Sequence, residues 1–503
     1  MKSLTLILSL LIAIVSIVIG ILILLLDPIT YPLSLSYKEQ YCSNTIGSSG
    51  NGNDNDNDNI IGSNINYDTI NGECYFSSNY YEARETFIKN AIKAKATLHS
   101  YPLSINSNLT TDIAIIEGSH HKYLIHISGV HGTEGYAGSA IQSASLEYFS
   151  NNLNNNQYNN DNPTIVFIHI VNPYGMANNR RVNEDNIDLN RNFLSLNEFE
   201  KVLKREPNFA GYVDIDFLIN PTSLPYSYTI LNDLHSFGLT IHAAIKYGLS
   251  FIKRALVSGN YFKKSGLGYG GDRLSKSGAN LVEVLINQLN IGSKAKSIVL
   301  LDVHTGIVYF FCYHVLLLSS SSSSSSSSLL IGLGPSGKDT LAELAGERRR
   351  SVDSIFPIEY EQSSWIPGYK NVLGGMKESN YGKGPNSALA GYDLTVGTVT
   401  EDFCTKMLAP NLNDTSRLCI LQEFGTRDMV IVGKTLTDEN WAYHYGNDIQ
   451  KKFYGNRLKN SFYVETTAWK RNVVRRGLKV FLQALNYSIQ QTIDQTEVAI
   501  SQI

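Results

Sequence analysis

The sequence predicts an α/β fold: a mixed, mainly parallel central sheet flanked by helices, preceded by an N-terminal transmembrane helix. Three observations carry this expectation. Apolar runs at 113–117, 123–127, 164–171 and 298–303 alternate with helix-like stretches. Alternation of that kind implies strands joined by crossover helices. Two of these runs end close to a histidine and a glycine, at His131-Gly132 and at His304-Thr305-Gly306, and open α/β sheets keep their sites at the carboxyl ends of the strands. Finally, residues 4–26 form 23 consecutive positions with no charge, Pro, Asn or Gln. A bilayer requires about 20 apolar residues.

Taken in chain order, residues 1–30 read as a signal anchor. A secretory signal core is usually about 7–15 residues, and Asp27-Pro28 follows the run without a small-residue cleavage site. The expected product is a single-pass membrane protein whose catalytic part is lumenal or extracellular, and secreted if the segment is cleaved. Lys2 is the only early positive charge, so loop charge specifies orientation weakly. Residues 31–80 read as an Asn/Asp-rich linker. Its alternating Asp54, Asp56 and Asp58 imitate a calcium loop but lack the closing Glu of one. Three glycosylation sequons begin at Asn108, Asn413 and Asn486. Among five cysteines, Cys42 with Cys74 and Cys404 with Cys419 can pair in an oxidising compartment. No cysteine pair has metal-ligand spacing.

Residues 81–486 are expected to form one catalytic domain, with 487–503 as a tail. The strand at 123–127 leads into Ser128-Gly129-Val130-His131-Gly132-Thr133-Glu134-Gly135, and a helix at 136–149 follows. An imidazole and a carboxylate three residues apart at a glycine-loosened strand end form half of a zinc site, because zinc takes nitrogen and oxygen ligands at about 2.0–2.2 Å. An Asn-rich patch at 151–162 reads as an expanded surface loop. The strand at 164–171 then delivers Asn172-Pro173-Tyr174-Gly175 and a polar run containing Arg181, Asp188, Asn190 and Arg191 to the same edge. Guanidinium forks match carboxylates two bonds at a time. Residues 194–295 are long for one crossover and are expected to hold several helices, one near 278–289, that shape the substrate pocket. The strand at 298–303 delivers His304, a third ligand that leaves a fourth position open.

Residues 307–332 interrupt the chain beside His304 and include ten serines at 319–328. They read as a low-complexity insert or as translated non-coding sequence, with the odd Cys312 inside. Next, Gly332 to Asp339 imitates a phosphate-binding loop, but Asp339 stands where the motif needs Ser or Thr. A last apolar strand at 418–421 leads to Glu423-Phe424-Gly425-Thr426. Glu401 has a similar apolar lead-in but lacks the Gly-Thr that follows Glu423, so two carboxylates compete for this position.

This ordered set resembles the zinc carboxypeptidase superfamily, peptidase family M14, and more closely its DUF2817 branch. The matching blocks are Ser128 to Ser139, Asn172-Pro173-x-Gly175, Asp188-Leu189-Asn190-Arg191-Asn192-Phe193, Asp302-x-His304-Thr305-Gly306, Glu423-Phe424-Gly425-Thr426 and Asn440-Trp441-x-x-His444. The likeness runs from about Tyr81 to about Gly477. It implies one Zn2+ bound by His131, Glu134 and His304, with Glu423 as general base toward metal-activated water. It implies that Arg181 polarises the scissile carbonyl and that Asn190 and Arg191 grip a terminal carboxylate. Asp188 would fix the His131 tautomer. The expected function is therefore a zinc metallocarboxypeptidase acting on peptides. An N-acyl amino acid deacylase and an inactive binding protein that kept the fold are the other readings. The net charge of −3 and the absence of a basic block argue against a nucleic-acid partner.

Overall fold

The computed structural model describes residues 65–152, 162–226, 229–306, 328–331, 394–412, 417–427 and 429–500, together with 61 and 158. The expected anchor at 4–26, Cys42, the calcium-like stretch, most of the serine insert and the phosphate-loop imitation lie outside these residues. Among the described residues no helix is long and apolar enough to cross a membrane.

Seven strands form one sheet: β1 (Thr97–Pro102), β2 (Thr110–Ile116), β3 (Ser119–Ser128), β4 (Pro163–His169), β5 (Ser297–Gly306), β6 (Ser328–Ile331) and β7 (Arg417–Gly425). Their spatial order is β1-β2-β4-β3-β5-β7-β6. The pairs β1–β2 and β2–β4 are antiparallel, and every other pair is parallel. The chain thus moves from β3 outward to β4 and later returns to β5 on the opposite side of β3. That reversal opens a crevice beyond the carboxyl ends of β3 and β5, where ligand sites of such sheets sit.

The central strands are apolar on both faces because both are covered. On one side Leu124, Phe167, Val299, Leu301 and Ile420 pack against α1 (Tyr80–Lys93), α2 (Gly135–Asn152) and the C-terminal helix. On the other, Ile125, Ile127, Val166, Ile168 and Leu300 pack against helical residues Leu281, Val284, Leu285, Phe403 and Leu408. The 194–295 stretch holds α3 (Leu196–Leu203), α4 (Asp216–Ile219), α5 (Thr229–Tyr247), α6 (Leu249–Val257) and α7 (Lys276–Val282). After β7 come α8 (Met429–Tyr445), α9 (Asp448–Phe462) and α10 (Thr467–Ile500).

Three sequence expectations change. The last part of the expected linker belongs to the domain: Ile70, Tyr75 and Phe76 are buried in the main core, and Glu73 pairs with Arg471 of α10 at 2.8 Å. Of the expected tail at 487–503, residues 487–500 continue α10, and Ser488 is buried. Glu401 follows no strand; it sits in the first turn of a π-helix, Val399–Leu408, capped by Thr398. Thr398 three residues before Glu401 is a helix-start signal that outweighs the apolar lead-in. Of the serine insert, Ser328–Ile331 pairs in parallel with Cys419–Gln422 at the sheet edge.

Cys404 and Cys419 form a disulfide that ties the π-helix to β7 across a separation of 15 residues. Cys74 is also disulfide-bonded. Replacing Cys404 and Cys419 together by alanine is expected to cost about 2–4 kcal/mol, the usual range for a loop of this order. Urea unfolding of the full chain reads this as a lower midpoint, and an unchanged midpoint would show that the bond adds no stability.

Candidate metal centre

The first two ligands are placed by tight backbone turns. After β3 the chain turns through Gly129 at φ +67°, a left-handed conformation that glycine adopts without steric penalty. Gly132 then passes so close to the next segment that an added Cβ would lie 2.1 Å from the carbonyl carbon of Gly175. This explains the Asn172-Pro173-x-Gly175 block in physical terms. Asn172 accepts from Gly175 N–H at 2.8 Å and donates to the Arg181 carbonyl at 3.1 Å. The carbonyls of Arg181 and Arg180 in turn accept from Gly132 and Thr133 N–H. The turn carrying His131 and Glu134 is thereby fastened to the loop carrying Arg181.

His131, Glu134 and His304 are all buried, and one ligand atom from each lies within 4.8 Å of the others. His131 Nδ1 is 2.9 Å from Glu134 Oε1, His304 Nδ1 is 3.0 Å from Glu134 Oε2, and the two Nδ1 atoms are 3.1 Å apart. Behind them, His131 Nε2 meets Asp188 Oδ1 at 2.9 Å and His304 Nε2 meets Asp302 Oδ2 at 2.8 Å. A carboxylate behind each ring draws the ring proton to Nε2 and leaves the Nδ1 lone pair facing the centre. Two such lone pairs and a carboxylate turned toward one point fit a small divalent cation. Tetrahedral zinc with bonds of 2.0–2.2 Å separates its ligands by roughly 3.3–3.6 Å, close to the spacing here.

The charge count agrees. Glu134, Asp188, Asp302 and Glu423 surround the imidazoles, and Arg181 is the guanidinium among them. A buried excess of carboxylates is costly unless a cation compensates it. Arg181 donates to Glu134 Oε1 at 2.5 Å and to Asp188 Oδ2 at 3.3 Å. Burial works to raise the Glu134 carboxyl, yet His131 and Arg181 hold it well below the usual range. Asp188 is lowered in the same way, against burial, by His131 and Arg181. Burial works to lower His304, but Asp302 and Glu134 raise it well above an ordinary histidine.

Glu423 stands opposite His304 in the parallel β5–β7 register, so both side chains leave the sheet on the same face. Burial first, and the Glu134 charge second, push its carboxyl up to about 8. The structure therefore brings His131, Glu134, His304, Arg181, Asp188 and Glu423 into one neighbourhood. Asn190 and Arg191 occupy the adjoining loop. Asn190 Oδ1 accepts from Val399 N–H at 2.9 Å, and Arg191 donates to the carbonyls of Val257 at 2.9 Å and Asn190 at 2.6 Å. Asn440 of the last block donates to Ser265 O at 2.8 Å, a contact that joins α8 to the loop after α6.

The family is now decided. A family profile described as "Protein of unknown function (DUF2817)" matches residues 76–325 and 378–476. The chain belongs to the DUF2817 family. No curated protein matches this DUF2817 member. Among solved structures it is similar to carboxypeptidase A from Helicoverpa armigera at 10% identity, over 81% of this chain and 76% of that one, with a TM-score of 0.35. It is also similar to bovine thrombin-activatable fibrinolysis inhibitor in complex with tick carboxypeptidase inhibitor, at 12% identity over 80% and 98% of the two chains, with a TM-score of 0.33.

Sequence reasoning missed two members of this DUF2817 centre. Asp302 orients His304, and Thr305 N–H donates to Glu134 Oε2 at 3.1 Å. Asp302 had a signal: a charge in an otherwise apolar strand, two residues before a ligand and hence on its face. Asp302→Asn is expected to weaken zinc binding about 10–100-fold. Competition against a chromophoric chelator measures it, and wild-type affinity would remove Asp302 from the centre.

Proposed function

We propose that this protein is a zinc-dependent hydrolase that cleaves an amide bond next to a free carboxylate, with a metallocarboxypeptidase as its leading form. The observation that carries the reading is the convergence of His131 Nδ1, His304 Nδ1 and the Glu134 carboxylate, each held from behind or beside, with Glu423 on the neighbouring strand. Zinc bound there would supply Lewis acidity toward water and a carbonyl oxygen.

The protein groups then divide the work. Glu423, on the strand beside His304 and within the field of Glu134 and Arg181, is placed to take a proton from attacking water and pass it to the departing nitrogen. Arg181 lies over the centre with its charge already oriented by Glu134 and Asp188, and is proposed to steady the carbonyl oxygen as charge builds on it. Arg191, braced by two backbone carbonyls, is proposed with Asn190 to receive the substrate carboxylate. The N-acyl amino acid deacylase reading uses the same groups and differs in the length of substrate admitted.

We also propose that residues 4–26 anchor the chain in a membrane with this domain on the lumenal or extracellular side. The Cys404–Cys419 bond supports an oxidising compartment. Asn108 is exposed in the turn between β1 and β2 and is open to glycosylation, whereas Asn486 is bound through both side-chain atoms to the backbone of Ile61.

The test is a screen of short peptides and N-acyl amino acids with and without chelator. Chelator-sensitive release of a C-terminal residue supports the carboxypeptidase form, and release from acyl amino acids alone selects the deacylase. Glu423→Gln is expected to keep near-stoichiometric zinc and lose turnover by about 10²–10⁴-fold, the range for a general base. Full activity in that variant would remove Glu423 from the chemistry, and a chain that binds no zinc would sink the hydrolase reading.

A further inference from the structure

Helix α5 is amphipathic in the inverted sense. Its inward face is polar or small: Asn232, Asp233 and Ala243 are buried there, with Ser236 and Thr240 beside them. Asp233 accepts from Arg457 of α9 at 3.2 and 3.1 Å and lies 3.0 Å from Lys434 of α8. Asn232 exchanges two hydrogen bonds with the Tyr226 backbone. These contacts fix which side of the helix faces the protein.

The solvent-facing side carries Ile230, Leu231 and Ile245 with His235, Gly238, His242 and Lys246, and Leu234, Phe237 and Ile241 are half-buried along its edge. Ile230, Leu234, Phe237, Ile241 and Ile245 recur at the i, i+4, i+7, i+11 and i+15 spacing of one helical face. Ile230 is 50% exposed and Ile245 73%, with Leu231 at 41% beside them. None of these side chains joins a hydrophobic cluster of the described residues. The face continues onto Phe217 of α4, itself 43% exposed, whose ring meets His242 edge-on at 6.4 Å. Lys246 borders the stripe with a fully exposed ammonium. With Phe209, Val213 and Tyr226 also exposed, large apolar side chains are concentrated on this part of the surface, as at a docking face rather than in ordinary scatter.

We infer that the α4–α5 face lies on the lipid surface of the bilayer that holds the N-terminal segment. This rests on the anchor proposed above. The occupant follows from chain geometry. Residues 27–60, 34 positions, join the apolar run to Ile61, whose backbone is held by Asn486 of the domain. Even fully extended, they keep it within about 120 Å of the bilayer. A tethered apolar face therefore meets lipid at high effective concentration. A helix with an apolar face outward and a bordering lysine suits the acyl–headgroup boundary, with the lysine reaching back to water. Such docking would fix the domain's orientation over the membrane. The Val257 carbonyl, at the end of the following helix α6, holds Arg191, so the docked layer lies two helices from the proposed carboxylate grip.

The test reconstitutes the full chain in phosphatidylcholine vesicles carrying acyl-brominated lipid. A tryptophan is introduced at Ile245→Trp, with Leu231→Trp as a second probe on the same face. Ile92→Trp on α1, where the residue is 63% exposed, is the control. Expected are flotation with the vesicles, blue-shifted emission at both probes quenched by bromolipid, and acrylamide quenching at the control alone. Failure to float overturns the anchor and the docking together. Flotation with both probes open to acrylamide, like the control, overturns the docking while leaving the anchor in place. Probes shielded from both quenchers would show that protein covers the face, from a second copy or from this chain, and would likewise overturn it.

Discussion

The orientation of two imidazoles by two aspartates is the interaction on which this structure turns. Without Asp188 and Asp302 the rings of His131 and His304 could place a proton on either nitrogen. With them, a proton is drawn to Nε2 and both Nδ1 atoms turn toward Glu134. Four carboxyl groups crowd one buried centre beside Arg181, and burial first and the Glu134 charge second raise the Glu423 carboxyl.

The backbone supports this through close approach rather than through long side chains. Gly132 against Gly175, and Asn172 bridging to Arg181, bind two loops from different strands into one rigid edge. The sheet order contributes the rest. Since β3 lies between β4 and β5, the carboxyl ends of all three strands open on one crevice. Val171 and Asn172 N–H donate to Ser128 and Gly129 carbonyls at its floor. Ile170, a β-branched residue at φ +53°, sits at this junction. Such conformations persist only where surrounding contacts impose them.

The helical layer between β4 and β5 follows different rules. Most helices there bury apolar faces, but α5 buries Asp233 and Asn232 and turns isoleucines outward. A buried aspartate shared by Arg457 and Lys434 fixes the helix against α8 and α9 through charge, with Ile230, Leu231 and Ile245 turned to solvent.

Much of this protein was legible before any coordinates. The strands around 123–127, 164–171 and 298–303 were visible because parallel strands covered on both faces read as continuous apolar runs, and the histidines stood out where those runs stopped. The Cys404–Cys419 pairing was readable as an option. What sequence could not supply is the meeting of segments 173 residues apart, since ligand geometry depends on strand order and register. The π-helix around Glu401, the inclusion of residues 65–80 in the core and the orienting role of Asp302 were likewise decided by packing. Local patterns determine which residues can form strands and which carry donor atoms. Only the folded sheet, by bringing separate strand ends to a common edge, decides which donors share a centre and which face of α5 is left uncovered.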